Sequence, residues 1–180
     1  MDRLSPAETR YVLVTATGSG HSRGYSEDSM FARLHDLKGS RGPAAGPGRG
    51  RSSRVEALRH HRLIYQSAPK RPGQAEPFCM IFEIVPGARL VGRADPGAIV
   101  RVSLPVRPRT GRRFNYVSQT QANAEGEYGF SLPYSTESRS RDIETGPVYT
   151  VWTGRSSAKV PVPESAVLRG EKIEGPALSE

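Results

Sequence analysis

The chain of 180 residues has one cysteine, one tryptophan and no run approaching the roughly twenty apolar residues that a membrane-spanning helix needs. A lone thiol, Cys79, excludes an intramolecular disulfide and the paired spacings of a structural zinc site. Set in the apolar run "FCMIFEIV", it reads as a buried, inert side chain. The opening "MDRLSPAETRYVLVT" lacks the apolar middle of a secretion signal, so the sequence reads as soluble and without an address. Phosphate loops of the G-x-x-x-x-G-K-[ST] kind and G-x-S-x-G nucleophile turns are also missing.

Charge is present in excess of one sign only locally. The net +8 arises between Lys38 and Gly73, where nine cations meet one anion, Glu56; the remainder carries seventeen charges of each sign. Basicity therefore belongs to one segment, and a general electrostatic footprint over the folded part is not expected.

Residues 11 to 17, "YVLVTAT", have strand composition. In "YSEDSMFARLHDLKGS" an amphipathic helix of about three turns is expected. Ser26 would cap it, Glu27 and Asp28 would sit in the first turn, and Lys38 and Gly39 would end it. Met30, Phe31, Leu34 and Leu37 form its apolar stripe, a candidate docking face, because so short a helix must rest on something. Residues 41–54, "RGPAAGPGRGRSSR", read as a basic Gly/Pro-rich loop that cannot bury enough surface to fold. Its Arg49, Arg51 and Arg54, with Arg59 just beyond, are candidate contacts for an anionic surface or lipid headgroups. Nucleic acid is disfavoured, because no aromatic residue lies between Gly39 and Ile64 to stack on bases. In "HRLIYQS", Leu63 and Tyr65 alternate with Arg62, Ile64 and Gln66 as in a strand.

From Phe78 onward the texture changes to short strands between turn residues: "FCMIFEIV", "ARLVGRA", "AIVRVSLPV", "RRFNYVSQTQA", "GEYGFSLPY", "VYTVWTG" and "AKVPV". Tyr128, Phe130 and Leu132 share one face of "EYGFSL", and Val100, Val102 and Leu104 share one face of "AIVRVSL". The expected fold is α+β, with a dominant antiparallel β-sandwich or barrel after a small strand-helix-strand piece. Its parts would be 1–40 (strand and helix), 41–54 (loop), 55–77 (strand and linker) and 78–175 (β-domain).

Chemistry is sparse. His60 and His61 are adjacent and would point to opposite faces of a strand, so they cannot chelate one metal. Glu125 and Glu127 flank Gly126 and read as a solvated turn. Phe114 and Tyr116 share a sheet face opposite Arg113 and Asn115, a core row before a base- or sugar-binding one. No catalytic and no metal-ligating residue is assigned.

Taken in order, "YSEDSMFARLHDLKGS", "HRLIYQS", "FEIVPGARLVG", "GRRFNYV", "GEYGFSLPYSTE", "TGPVYTV" and "VPESAVLRGEKI" resemble the C-terminal extracytosolic region of the archaeal oligosaccharyltransferase catalytic subunit, the AglB-type enzyme. Ser29, Met30, Ala32, Arg33, Leu34, Gly39 and Ser40 match that family's helix pattern. His61 to Tyr65 match its strand, and Leu132 to Thr136 match a β-domain edge. The family's W-W-D-Y-G acceptor motif and its multi-span membrane domain with metal-binding aspartates have no counterpart here; Trp152 lies in a strand. A second acceptor-site motif, carrying an Asp and a Lys, would fall between Thr15 and Tyr25, where "ATGSGHSRG" has neither.

The resemblance therefore implies an accessory, split or vestigial domain of an oligosaccharyltransferase in protein N-glycosylation, non-catalytic on its own. It would be partnered by the membrane-embedded core at the extracytosolic face, with anionic headgroups as a further contact. The divalent Mn or Mg of the full enzyme would have no place in this chain. The alternative is a stand-alone β-sandwich binding module whose basic arm engages polyanions, anionic lipid or glycans.

Overall fold

Strict alternation makes the strands, and the rows it creates make the core. In a computed structural model, residues 10–15, 29–43, 54–69, 77–137 and 142–179 are described. The chain order opens with β1 (Tyr11–Thr15), α1 (Met30–His35), β2 (Gly42–Pro43), β3 (Arg54–Val55), β4 (His61–Gln66) and β5 (Cys79–Ile84). It continues through β6 (Ala88–Ala94), β7 (Ile99–Pro108), β8 (Phe114–Gln121), β9 (Glu127–Leu132) and β10 (Ile143–Thr145). The last elements are β11 (Tyr149–Thr153), β12 (Ser156–Val160), α2 (Glu164–Arg169) and β13 (Lys172–Leu178).

These strands assemble into an α+β, sandwich-like fold. A first sheet has the antiparallel order β1-β5-β4. In the largest sheet β7 is central: β8 lies along one edge, while β10 and β11 share the other and β12 continues from β11. The third has the order β13-β6-β9. Inward rows from all three meet in one core: Val100, Val102 and Leu104 of β7, Tyr128, Phe130 and Leu132 of β9, Leu90 of β6, and Leu63, Met80 and Phe82 of the first sheet. Because β5 belongs with β1 and β4, the boundary placed at residue 78 falls beside a strand of the first sheet.

Several local expectations need correction. The helix is six residues long, not three turns, and its cap is Ser29, whose hydroxyl accepts from the Ala32 amide at 3.2 Å. Ser26, Glu27 and Asp28 lie outside the described residues. Lys38 and Gly39, both at positive φ (52° and 77°), do end the segment, and the Gly39 amide donates back to Arg33 O at 2.8 Å. In β4 the alternation slips. Leu63 faces Phe82 but Tyr65 faces Ile81, so Ile64 is an extra residue at a bulge. The slip turns Tyr65 outward, 38% exposed, and buries Gln66. The sandwich is not wholly antiparallel either, since β13 runs parallel to β6.

A side-chain contact braces that parallel pair at its bulge. Gly92 of β6 lies opposite Tyr128 of β9, and the Tyr128 phenol crosses over it to donate to Pro176 O, within the bulged part of β13, at 2.8 Å. A methyl at Gly92 would overlap the phenol and come within 2.7 Å of Pro176 O. Burial pushes the Tyr128 pKa up to about 12.

Gly92→Ala is therefore expected to lower unfolding free energy by about 2–3 kcal/mol in urea titration, as forced overpacking does. Gly129→Ala, which has only ordinary contact with Leu90 O, should shift it by less than about 1 kcal/mol. Tyr116, Tyr134 and Tyr149 are fully buried, and burial raises each phenol above its ordinary pKa. The folded state thus holds these protons more tightly than the unfolded chain. Stability is retained below the ordinary phenol pKa and falls above it, by about 1.4 kcal/mol per pH unit for each ring. A Tyr149→Phe variant should show a correspondingly shallower loss between about pH 10 and pH 11 when unfolding is titrated against pH.

Candidate functional site

Glu83 interrupts the apolar run of β5, and the registers put Arg62 of β4 directly across from it. The carboxylate is 6% exposed by residue and is saturated by guanidinium groups. Its Oε2 accepts from Arg62 Nε at 3.0 Å and Nη2 at 2.8 Å. Its Oε1 accepts from Arg10 Nε at 3.2 Å and Nη2 at 3.1 Å. Arg62 also reaches the far end of the chain, donating through Nη1 and Nη2 to the Glu164 carboxylate at 2.9 and 2.8 Å. Glu164 is the first residue of α2. Pro163, at the cap position, offers no side-chain oxygen, and Glu137 Oε2 takes its place by accepting from the Glu164 amide at 3.0 Å.

Arg62, Glu83, Glu137 and Glu164 line a cleft of about 290 Å³ with Leu63, Tyr134, Ile143 and Thr145. One arginine faces three carboxylates there, and Arg10 reaches Glu83 from outside the lining, so the cleft has an acidic bias. Burial works against the charge on Arg62, yet its hydrogen bonds to Glu164 and Glu83 outweigh that and hold its pKa above the ordinary value. A guanidinium so held cannot move a proton, and Glu83 has no lone pair to spare for general-base work. The arrangement is a clasp between the first sheet and α2.

Tyr134 braces the floor. Its hydroxyl accepts from the Leu63 amide at 2.8 Å, its carbonyl accepts from the Tyr149 hydroxyl at 2.9 Å, and its ring lies 5.3 Å from that of Tyr116. Tyr116 in turn donates to Leu58 O at 3.2 Å.

The other residues singled out from the sequence are dispersed. His60 Nδ1 lies 3.1 and 3.0 Å from Val85 O and Pro86 O, while His61 is kept neutral more readily by burial, then by His60 and Arg33. Among the described residues no three His, Cys, Asp or Glu side chains stand together as a metal site. The carboxylates that do converge, Glu83, Glu137 and Glu164, are committed to guanidinium and amide donors. This donor set does not fit a Mn or Mg ion. Cys79 is half-buried. Tyr116 is in the core and Phe114 packs against it.

Of the helix stripe, Leu34 is 2% exposed and in the core, Phe31 stacks on His35 at 5.0 Å, Leu37 covers Gly42, and Met30 is 38% exposed. Arg59 is exposed, Arg54 begins β3, and Arg49 and Arg51 lie outside the described residues. Sequence reasoning passed over Arg10, Glu83, Tyr134 and Glu164. One signal was available, a carboxylate inside the apolar run "FCMIFEIV", since such a charge must be paired.

Comparison with known proteins follows the same outline. Residues 87–173 match the family described as the archaeal glycosylation protein B long peripheral domain. The dolichyl-monophosphooligosaccharide–protein glycotransferase AglB of Haloferax volcanii is 34% identical over 110 residues, covering 46% of this chain and 10% of that protein. A crystal structure of the Archaeoglobus fulgidus oligosaccharyltransferase with Zn and sulfate matches 84% of this chain and 25% of its own, at a TM-score of 0.66 and 19% identity. The A. fulgidus AglB with an inhibitory peptide and a dolichol-phosphate matches 83% of this chain and 22% of its own, again at 0.66 and 19%. At that identity the likeness shows the fold. The chain spans about a tenth of the length of the curated relative and about a quarter of the solved one.

Arg62→Ala leaves Glu83 buried with only the exposed Arg10 as partner, and should cost about 3–5 kcal/mol in chemical denaturation. Replacing the pair together, as Arg62→Met with Glu83→Leu, should recover most of that loss.

Proposed function

We propose, from the match of residues 87–173 to the archaeal glycosylation protein B long peripheral domain, that the chain is a non-catalytic peripheral unit of an archaeal oligosaccharyltransferase, acting in protein N-glycosylation against a membrane-embedded core. The observation that carries this reading is the span of the fold likeness. It covers 84% of the chain, against the 87 residues of the family match, so the likeness extends into the residues that precede the β-domain.

The chemistry of the cleft supports a non-catalytic role. Glycan transfer needs an activated lipid-linked sugar, a cation to neutralise the leaving phosphate and a group that reads the acceptor. Here the convergent acids are spent on Arg10, Arg62 and a helix amide, and the divalent Mn or Mg is assigned to the core. No helix of the described residues is long and apolar enough to cross a membrane, which fits a unit held at the extracytosolic face by its partner. Met30 of α1 is the part of the helix stripe that stands exposed toward such a partner. The basic loop with Arg49, Arg51, Arg54 and Arg59 would lie toward headgroups.

Detergent extraction from archaeal membranes, followed by affinity purification of the tagged chain, tests this. The transferase core should stay with it at about 0.5 M salt, where exposed charge pairs are screened and apolar contacts persist. Release of the core at about 0.15 M salt, or glycan attachment to asparagine by the lipid-free chain alone, refutes the reading.

A further inference from the structure

The end of β7 and the turn that leads to β8 hold four arginines in seven residues, Arg107, Arg109, Arg112 and Arg113, with no carboxylate among them. All four are exposed. The turn is fixed from below by the end of β4. Gln66 Nε2 donates to Thr110 O at 2.6 Å, and the Thr110 hydroxyl donates back to Gln66 O. Gly111, at φ +94°, leaves the space the Gln66 amide occupies, so a side chain there would collide with it. Just past the turn, the Lys38 ammonium lies 5.9 Å from the centroid of the Phe114 ring, which adds a further cation to the same end.

Acidic neighbours come from β10 and reach only one flank. Glu144 lies 3.8 Å from Arg107, and the Asp142 carbonyl accepts from the Arg109 amide at 2.7 Å. Among the described residues neither Arg112 nor Arg113 has a carboxylate partner. An aromatic side chain stands at this end too. Ser67 and Ala68, which follow Gln66, bond to Cys79 O and the Phe78 amide at 2.9 and 3.5 Å. Phe78 is two residues, roughly 7 Å of strand, from Met80, the register partner of Gln66. It is 41% exposed.

We propose that this end of the molecule, Arg112 and Arg113 with Lys38 and Phe78 beside them, is a seat for an anionic lipid bilayer surface. Guanidinium forks pair with phosphate through two parallel hydrogen bonds. A half-exposed phenyl ring can enter the boundary between headgroups and acyl chains while the cations stay in the headgroup layer. The turn backbone is tied to Gln66 by two hydrogen bonds, so little of its ordering is left to be lost on contact. Single-stranded nucleic acid would need a succession of stacking rings along the basic track, and residues 107–113 contain no aromatic side chain, the exposed Phe78 and Tyr65 lying to the side of the arginines. The seat is independent of the transferase core and of residues 44–53.

Vesicle co-sedimentation of the full chain decides the matter. The probe is phosphatidylcholine vesicles containing about one-third phosphatidylglycerol, at about 0.1 M salt. Arg112→Gln with Arg113→Gln should weaken partitioning about twentyfold, from roughly fivefold per basic residue. The control is Arg155→Gln with Lys159→Gln, at and near the β11–β12 turn. Trp152 there pairs with Arg101, which places the turn at the Ile99 end of β7, roughly 20 Å or more from the arginine turn and beyond the screening length. It removes the same charge and should weaken binding by less than about threefold.

A Phe78→Trp variant should shift its emission to the blue and be quenched by brominated acyl chains, over the constant signal of Trp152. Equal losses for the two double variants, no loss for the Arg112/Arg113 pair, or displacement of the vesicles by a single-stranded oligonucleotide each overturn the proposal. So does Phe78→Trp emission that vesicles leave unchanged. Failure here leaves retention by the transferase core untouched, because that test has no dependence on these residues.

Discussion

Tyr134 has its backbone in the β-rich half of the chain and its hydroxyl in the first sheet. The bond from the Leu63 amide, 2.8 Å and buried, is what ties the two together. Leu63 sits where β4 bulges, so its amide is directed to a side chain and not only to the ladder. Arg62 is the next residue back. Once Leu63 is anchored, Arg62 is presented between Glu83 and Glu164, and the first sheet is linked to α2 across a sequence separation of 102 residues. The ring contact with Tyr116, and the hydroxyl that Tyr116 sends to Leu58 O, fix the same region from a second side. Phenol hydroxyls serve here because a fully buried ring brings both apolar area and one directed polar bond.

The clasp of Arg10, Arg62, Glu83 and Glu164 is best understood as a choice of arrangement. Taking several charges out of water costs about as much as their mutual attraction returns, so such a group adds little net stability over a well-packed apolar one. What it does supply is intolerance of alternatives. With Glu83 buried, any register of β4 that withdrew Arg62 would leave that charge inside the protein with only the exposed Arg10 to answer it. Glu137 extends the same logic to α2, a helix too short to hold itself, by satisfying the amide that Pro163 cannot.

Patterns with a period of two were plain in the sequence. The inward rows of β7 and β9 are the ones that alternation marked, and the turn glycines Gly97 and Gly126 take the positive φ that their positions require. What escaped was whatever broke the period or was set by distant partners. The bulge at Ile64 reversed Tyr65 and Gln66. β13 was hidden because "KIEGPAL" carries Gly and Pro in mid-strand, tolerable only at the bulge where its register to β6 shifts. β10 has three residues, too few for a periodic signal. The helix α2 did carry its marks, Glu164 in the first turn and Gly170 in the left-handed conformation after the last. The clasp could not be read at all from spacing, because its members meet through strand pairing. Charge is hidden by summation in a related way. The balanced total outside residues 38–73 includes four arginines within residues 107–113, and a sum over many residues says nothing about where a field is strong.

The helix α1 shows how a marginal element becomes fixed. Six residues cannot repay the cost of nucleation, so its order must come from outside. Ser29 caps one end, Leu34 enters the core, and the exit is tied down twice: Gly39 O accepts from the Leu58 amide at 2.8 Å, and the Ser40 hydroxyl bridges Asn115 O and the Val117 amide on β8 at 3.0 and 2.9 Å. Arg41 then adds a backbone bond to Val117 O at 2.9 Å, so the chain leaves along β8 toward the loop that follows. The helix is therefore held by the sandwich itself and needs no external partner to form. Whatever docks on its exposed side meets a surface already in place, which removes the ordering of α1 from the cost of association.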